Sequence, residues 1–224
     1  MAPSAPAAGS ASRSAAAKRS PDSLRKKVAK IDRIDLLIAG VGGQGTLLTG
    51  RIIAAAAQAE GYDVKTAETH GMAQRGGSVV IHVRIAGEVR APLVPQGEAD
   101  FLLAFETLEA LRFLPWLSPA GTVIVNCQEI KPLPVLTGAC DYPEGAVETL
   151  KNSAGRVIPV EAMKLEPVCS QPRTANVLLV GILARLLPFP EETWQKALAE
   201  QIPPRHLTIN RRAFTTGWTH QPRP

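Results

Sequence analysis

Four glycines fall within six positions of this 224-residue chain, in GVGGQG from Gly40 to Gly45, and the stretch runs on as TLLTGRIIAAAA. Glycine at that density serves backbone chemistry, because a chain without Cβ atoms turns tightly and lets a ligand approach the main chain. Gly40, Gly42 and Gly45 match G-x-G-x-x-G. The helical pattern that follows would offer free N–H groups to an anion at its first turn. Gly43 adds a fourth bare position, Gln44 and Thr46 add polar side chains, and Thr49 lies one turn further on. Taken alone the motif supports two readings: a loop that holds a phosphate-bearing ligand, or glycines that only let a strand and a helix pack closely.

A second polar, glycine-punctuated stretch follows at Thr69 to Val79, THGMAQRGGSV. Arg75 could pair bidentately with a phosphate or carboxylate, or equally order the loop through a salt bridge. His70 could donate or accept a proton, though a lone loop histidine more often only hydrogen-bonds. Thr69 and Gln74 carry no reactivity and would orient ligand groups, Gly76 and Gly77 would let a ligand close in, and Met72 would pack under the loop or against a partner. Glu68, just before, stands where a dinucleotide fold places the acid that accepts the ribose hydroxyls. No residue is assigned a catalytic or metal-binding role. The candidate ligand contacts are Gly42, Gly43, Gln44, Gly45, Thr46, Thr69, His70, Gln74, Arg75, Gly76 and Gly77.

Positioning these loops requires a sheet. IDLLIAG before the first loop is a short apolar run ending in glycine, as in a strand buried on both faces. After it, Leu47, Leu48, Ile52, Ile53 and Ala56 recur at helical spacing up to a stop at Gly61. YDVKTAETH reads as a second strand, closing a β-α-β unit, and SVVIHVRI with EVRAPLV as a hairpin about Ala86 and Gly87. FLLAFE and TVIVNCQEI read as strands around a helix TLEALRFLPWL, and RVIPVEA as a last strand. TANVLLVGILARLLP and PEETWQKALAEQI read as helices, with Asn176 as an N-cap or just inside it. The fold class is α/β: a Rossmann-like three-layer fold with a mixed, mostly parallel sheet and an inserted hairpin. Both polar loops then leave strands at their carboxyl ends, on one edge.

Charge narrows the function. The net charge is +5, but residues 1–30 carry seven Lys or Arg against Asp22 alone, and residues 205–224 carry four Arg and no acid. Residues 31–204 hold 14 basic against 19 acidic residues, which argues against nucleic acid as a partner. The expected organisation is a disordered basic tail over 1–30, one domain over 31–218 and a short tail over 219–224. The basic, acid-poor tail is also compatible with an organellar transit peptide. Cys127, Cys140 and Cys169 are too far apart for a cluster or structural zinc, and buried reduced thiols are expected. No apolar run is long enough to span a bilayer, so a cytoplasmic location without membrane contact is expected.

The two loops together, with ANVLLVGILA at Ala175 to Ala184 and NRRAFTTGW at Asn210 to Trp218, closely resemble the gamma domain of the 2-oxoacid:ferredoxin oxidoreductases, and within that family the indolepyruvate branch. The resemblance spans about residues 32–217. It implies a small subunit of an enzyme that oxidatively decarboxylates a 2-oxo acid, such as indolepyruvate or another aryl pyruvate, to an acyl-CoA, and that is inactive without its partner. Thiamine diphosphate, Mg2+ and [4Fe-4S] clusters would lie on a large partner subunit, ferredoxin would accept the electrons, and this chain would contribute glycine-loop contacts to coenzyme A or to a shared site. Two other readings stay open: a stand-alone NAD-binding oxidoreductase, and a non-catalytic scaffold.

Overall fold

The structure is a computed structural model that describes Met1, residues 32–71 and residues 77–220. Contacts divide the chain into two units, Met1–Lys30 and Ile31–Pro224, and the architecture below is that of the second. The sheet has six strands, β1 (Arg33–Val41), β2 (Asp63–His70), β3 (Ser78–Ala86), β4 (Ala99–Ala104), β5 (Leu117–Asn126) and β6 (Arg156–Val160), in the order β2-β3-β1-β4-β5-β6. Only β3 runs against the rest: it pairs antiparallel with β1 and with β2, whereas β1-β4, β4-β5 and β5-β6 are parallel. The mixed, mostly parallel sheet read from the sequence is therefore present.

Among the described residues there are seven α-helices: α1 (Thr46–Ala59), α2 (Thr107–Phe113), α3 (Leu133–Leu136), α4 (Ala146–Ser153), α5 (Ala175–Leu186), α6 (Glu191–Gln201) and α7 (Pro204–Thr219). Alternation along β1 sorts the layers. Leu36 and Ile38 join Ile52 and Ile53 of α1 and the buried residues of α5, α6 and α7 in one core. Leu37 and Ala39 join Ala110 of α2 and Leu150 of α4 in the other. Being apolar on both faces, β1 is central, as its unbroken apolar run required.

Three sequence expectations are corrected. The hairpin is β2-β3, not β3 with the EVRAPLV stretch, and β3 slips between β2 and β1, so the β-α-β unit is split rather than adjacent. Residues 88–94 form no strand because side chains take their backbone groups. Val89 N donates to Asp63 Oδ2 (2.8 Å), Val94 N to His82 Nδ1 (3.1 Å), and the Arg84 guanidinium donates to the carbonyls of Ala91 (3.4 Å) and Leu93 (3.1 Å). Pro92 and Pro95 further remove two donors a ladder would need. Arg84 also grips the fully buried Asp35 through Nε at 2.8 Å and Nη2 at 3.2 Å, which fastens β3 to β1.

The second correction concerns the cysteines: Cys127, Cys140 and Cys169 are all exposed, since each lies on a connecting segment rather than inside a strand or helix. Strand β5 stops at Asn126, and Cys127 lies just beyond it, its N–H donating to Val160 O at 2.7 Å while its side chain stays exposed. Thirdly, residues 204–219, to which the sequence pattern assigns no element, form α7, and its cause is tertiary. Its partner is α5, and the two approach so closely that a Cβ on Gly181 would lie 2.2 Å from Phe214 O and one on Gly217 1.9 Å from Leu178 O. The two segments singled out above, ANVLLVGILA and NRRAFTTGW, are thus the two sides of one helix crossing.

Candidate functional site

The carboxyl ends of β1, β2, β4, β5 and β6 share one edge, and the glycine loop emerges there between β1 and α1. Its four glycines have different tasks. A Cβ on Gly40 would press on Gln44 Oε1 at 2.9 Å and on Phe105 and Thr46 at 3.0 Å, so this glycine permits close packing. Gly45 is left-handed (φ +82°), and a Cβ there would lie 2.4 Å from Asn176 Nδ2. Gly42 N donates to Gly77 O at 2.9 Å. Gly43 is also left-handed (φ +99°), but a Cβ there would meet open space within 4 Å. Packing thus accounts for Gly40 and Gly45, whereas Gly43 is the exposed backbone of the loop.

Gln44 is a brace. Its Oε1 accepts from Val41 N at 2.7 Å and its Nε2 donates to Phe105 O at 3.2 Å, so the amide ties the loop to the end of β4 instead of reaching outward. Thr46 is buried at the first position of α1, and no side chain caps that helix, which leaves the N–H groups of its first turn open. Thr69 and His70 are exposed at the end of β2, with His70 Nε2 3.8 Å from Glu68 Oε1. Met72, Gln74, Arg75 and Gly76 lie outside the described residues. The residues that flank them are tied to the first loop and to each other: Gly77 O accepts from Gly42 N, and Gly71 N donates to Ser78 O at 3.1 Å. The described ends of the second loop, Gly71 and Gly77, thus stand at the same edge as the first loop.

Several residues that hold this edge carried no obvious signal in the sequence. Asn176, read as an N-cap or just inside it, lies inside the first turn of α5, where Thr174 takes the cap position. Asn176 is buried and donates from Nδ2 to Gly45 O at 3.4 Å, and that carbonyl also receives Thr49 N (3.1 Å) and Thr49 Oγ1 (3.2 Å). Asn126, at the end of β5, donates to Phe105 O at 3.3 Å and accepts from Ala162 N at 3.2 Å, which joins the ends of β4, β5 and β6. The fully buried Glu106 caps α2 by accepting from Glu109 N at 2.8 Å, and its other oxygen accepts from Ile130 N at 3.2 Å and from the Tyr142 hydroxyl. Burial, and then the hydrogen bond to Glu106, push the Tyr142 phenol well above its ordinary range, so it stays a donor. Ser78 Oγ donates to the buried Glu109, which Arg112 also contacts at 3.2 Å.

This edge is organised differently from a dinucleotide site. The strand beside β1 on that side is β3, and Glu68 sits one strand further out, about 10 Å from β1 at the usual strand spacing. Glu68 is therefore too far from the first loop to complete the ribose contact of that motif. The family described as "Pyruvate ferredoxin/flavodoxin oxidoreductase" matches residues 35–219, which takes in all of the sheet but the first two residues of β1, both loops and the α5-α7 crossing. The chain belongs to that family.

Within the pyruvate ferredoxin/flavodoxin oxidoreductase family, the chain is 43% identical over 190 residues to the indolepyruvate oxidoreductase subunit IorB of Archaeoglobus fulgidus, a match covering 83% of this chain and 94% of that one. It is 30% identical over 150 residues to the ketoisovalerate oxidoreductase subunit VorA of Methanothermobacter marburgensis, covering 66% of this chain but only 27% of the relative. The fold matches the 2-oxoglutarate:ferredoxin oxidoreductase of Magnetococcus marinus, solved with 2-oxoglutarate, coenzyme A and succinyl-CoA bound, with a TM-score of 0.64 at 22% identity, over 84% of this chain and 31% of that one. The chain is a subunit of the 2-oxoacid oxidoreductase family, similar to IorB over most of its length. No helix among the described residues is long and apolar enough to cross a membrane.

Proposed function

We propose that this chain is the small subunit of a 2-oxoacid:ferredoxin oxidoreductase that converts indolepyruvate or a related aryl pyruvate, with coenzyme A, to the acyl-CoA and CO2, two electrons passing to ferredoxin. The observation that carries the reading is the open first turn of α1 beside Gly43, on the edge where the second loop is tied to the first. Helix amides that lack caps attract an anion, and coenzyme A brings phosphates. The bare Gly43 lets such a group approach the main chain. Indolepyruvate follows from the 43% identity to the IorB subunit, and coenzyme A from the family resemblance.

Thiamine diphosphate supplies carbanion stabilisation for the decarboxylation, and the reading assigns it, with Mg2+ and the clusters, to the large subunit. Among the described residues no group of three or more His, Cys, Asp or Glu is placed to hold a metal ion. This chain's own work is to bind and orient: the α1 amides and Arg75 hold the anionic end of coenzyme A, Gln44 and Asn176 keep the loop in shape, and Thr69 and His70 border the opening. The stand-alone NAD reading loses its support with the displacement of Glu68.

The test is steady-state kinetics on the reconstituted two-subunit complex, with coenzyme A and oxo acid varied separately. Arg75→Ala is expected to raise the coenzyme A KM by roughly ten- to a hundred-fold, the loss of one charge-assisted contact. Arg75→Lys should restore only part, because it keeps the charge but not the planar fork. Gly43→Val should be harsher, since its side chain would stand in the opening and strain a left-handed residue. If Arg75→Ala and Gly43→Val leave both Michaelis constants and the turnover number unchanged, the loops are scaffold and the reading is wrong.

A further inference from the structure

Apart from Met1, the large apolar side chains left exposed among the described residues are Leu47, Leu93, Leu133, Leu136 and Met163. Four of these five belong to the carboxyl edge. Leu47 is in the first turn of α1, Met163 is in the turn after β6, and Leu133 and Leu136 form the ends of α3, in the connection that leaves β5. The two leucines of α3 are 71% and 67% exposed, and no residue of that helix is buried.

A four-residue helix with no buried residue has no intrinsic stability, yet α3 is fastened at both ends. Pro132 takes the N-cap position and Pro134 the second helical one, which pre-sets the backbone angles of the turn. At the other end Gly138 N donates to Val135 O (3.1 Å) and Ala139 N to Pro134 O (2.8 Å), with Gly138 left-handed at φ +74°, a Schellman motif. The Thr137 hydroxyl adds a bond to Leu133 O at 3.0 Å. Below, both stems of the segment return to buried Glu106, one through Ile130 N and the other through Tyr142. The result is an apolar knob held rigid in water. Such a knob loses little freedom when a partner covers it, and that is the condition under which a small apolar contact contributes to affinity.

We propose that Leu133 and Leu136 are the knob by which this chain docks into the large thiamine-diphosphate subunit, with Leu47 and Met163 at the rim of the contact; the identity of that partner rests on the function proposed above. The large subunit fits better than a second copy for two reasons. The knob stands on the edge that bears the glycine loop, so a two-fold pairing of copies through it would turn both loops against each other and close the site. In the ketoisovalerate relative, moreover, the matching stretch is 27% of a longer chain, so there the same domain is already joined to further protein.

The experiment compares parent, Leu133→Ser/Leu136→Ser and the control Leu93→Ser, the last removing an exposed leucine on the segment after β3, away from this edge. Each is checked for melting temperature alone, then titrated with the large subunit by analytical ultracentrifugation, and the complexes are assayed. Expected are unchanged melting for all three, a Kd for the large subunit at least ten-fold weaker in the double variant and unchanged in the control, and an unaltered coenzyme A KM once the double variant is saturated with partner. A double variant that binds the large subunit as tightly as the parent overturns the proposal. So does a parent that self-associates through the knob, shown by a dimer that the double substitution abolishes. In both cases a parent complex that turns over leaves the functional reading standing, whereas a parent complex inactive towards every 2-oxo acid removes that reading whatever the knob does.

Discussion

Gly45 and Asn176 lie 131 positions apart, and their contact shows how much of this site is decided by single residues. Gly45 must be glycine twice over, for its positive φ and for the approach of the Asn176 amide to 2.4 Å of where a Cβ would stand. Asn176 in turn closes the last gap around a carbonyl that Thr49 already serves. Because Gly45 O keeps those other bonds, Asn176→Ala is expected to cost only about 1 kcal/mol of stability. The loop would still lose its one tie to α5, so the coenzyme A KM should rise several-fold in the complex while the oxo acid KM stays put. Asn176→Asp should be worse on both counts, since it turns an acceptor towards a carbonyl. Melting curves and the two Michaelis constants check this together. A variant that melts lower but keeps the parent's coenzyme A KM would reduce Asn176 to a core residue.

Between elements, the decisive contact is the crossing of α5 and α7. It works only because Gly181 and Gly217 expose backbone to backbone, each position facing a carbonyl of the other helix. Apolar packing surrounds it, with Trp194 and Phe214 fully buried and ring centroids 6.4 Å apart. Adding one methyl at either glycine forces the helices apart, so Gly181→Ala and Gly217→Ala should each cost about 1–3 kcal/mol. In a domain of this size that lowers the melting temperature by roughly 2–4 °C per kcal/mol. Gly97→Ala is the comparison: unlike the two helical glycines Gly97 is left-handed (φ +77°), but it faces open space, and the change should cost about 1 kcal/mol. Scanning calorimetry decides, and two crossing variants that melt no lower than Gly97→Ala would show that the helices yield without loss.

At the scale of the molecule the charges are segregated, a strongly basic first 30 residues joined to a body with 14 basic and 19 acidic residues. The first large hydrophobic residue after Met1 is Leu24, so the tail offers almost nothing to a core. Deleting residues 1–27 is therefore expected to leave melting temperature and the turnover of the complex unchanged. The comparison is made at low and moderate salt, so that a purely electrostatic contribution would appear as a difference between them. A truncated chain that melts several degrees lower would mean that the tail belongs to the folded unit.

What the sequence determined by itself is local and periodic: the buried first strand, the glycine loop at the start of a helix, the two polar loops on one edge and the α/β class. These follow from side-chain alternation, helical spacing and the backbone freedom of glycine, all readable along the chain. What only the tertiary structure decided is long-range. β3 is inserted between β2 and β1, which moves Glu68 out of reach of the first loop, and no short-range pattern says which strand will be a neighbour. The stretch at 88–94 alternates like a strand, but Asp63, His82 and Arg84 satisfy its backbone instead. That Gln44 and Asn176 brace the loop is likewise long-range, because a side-chain amide takes whichever partners the packing brings within 3.5 Å.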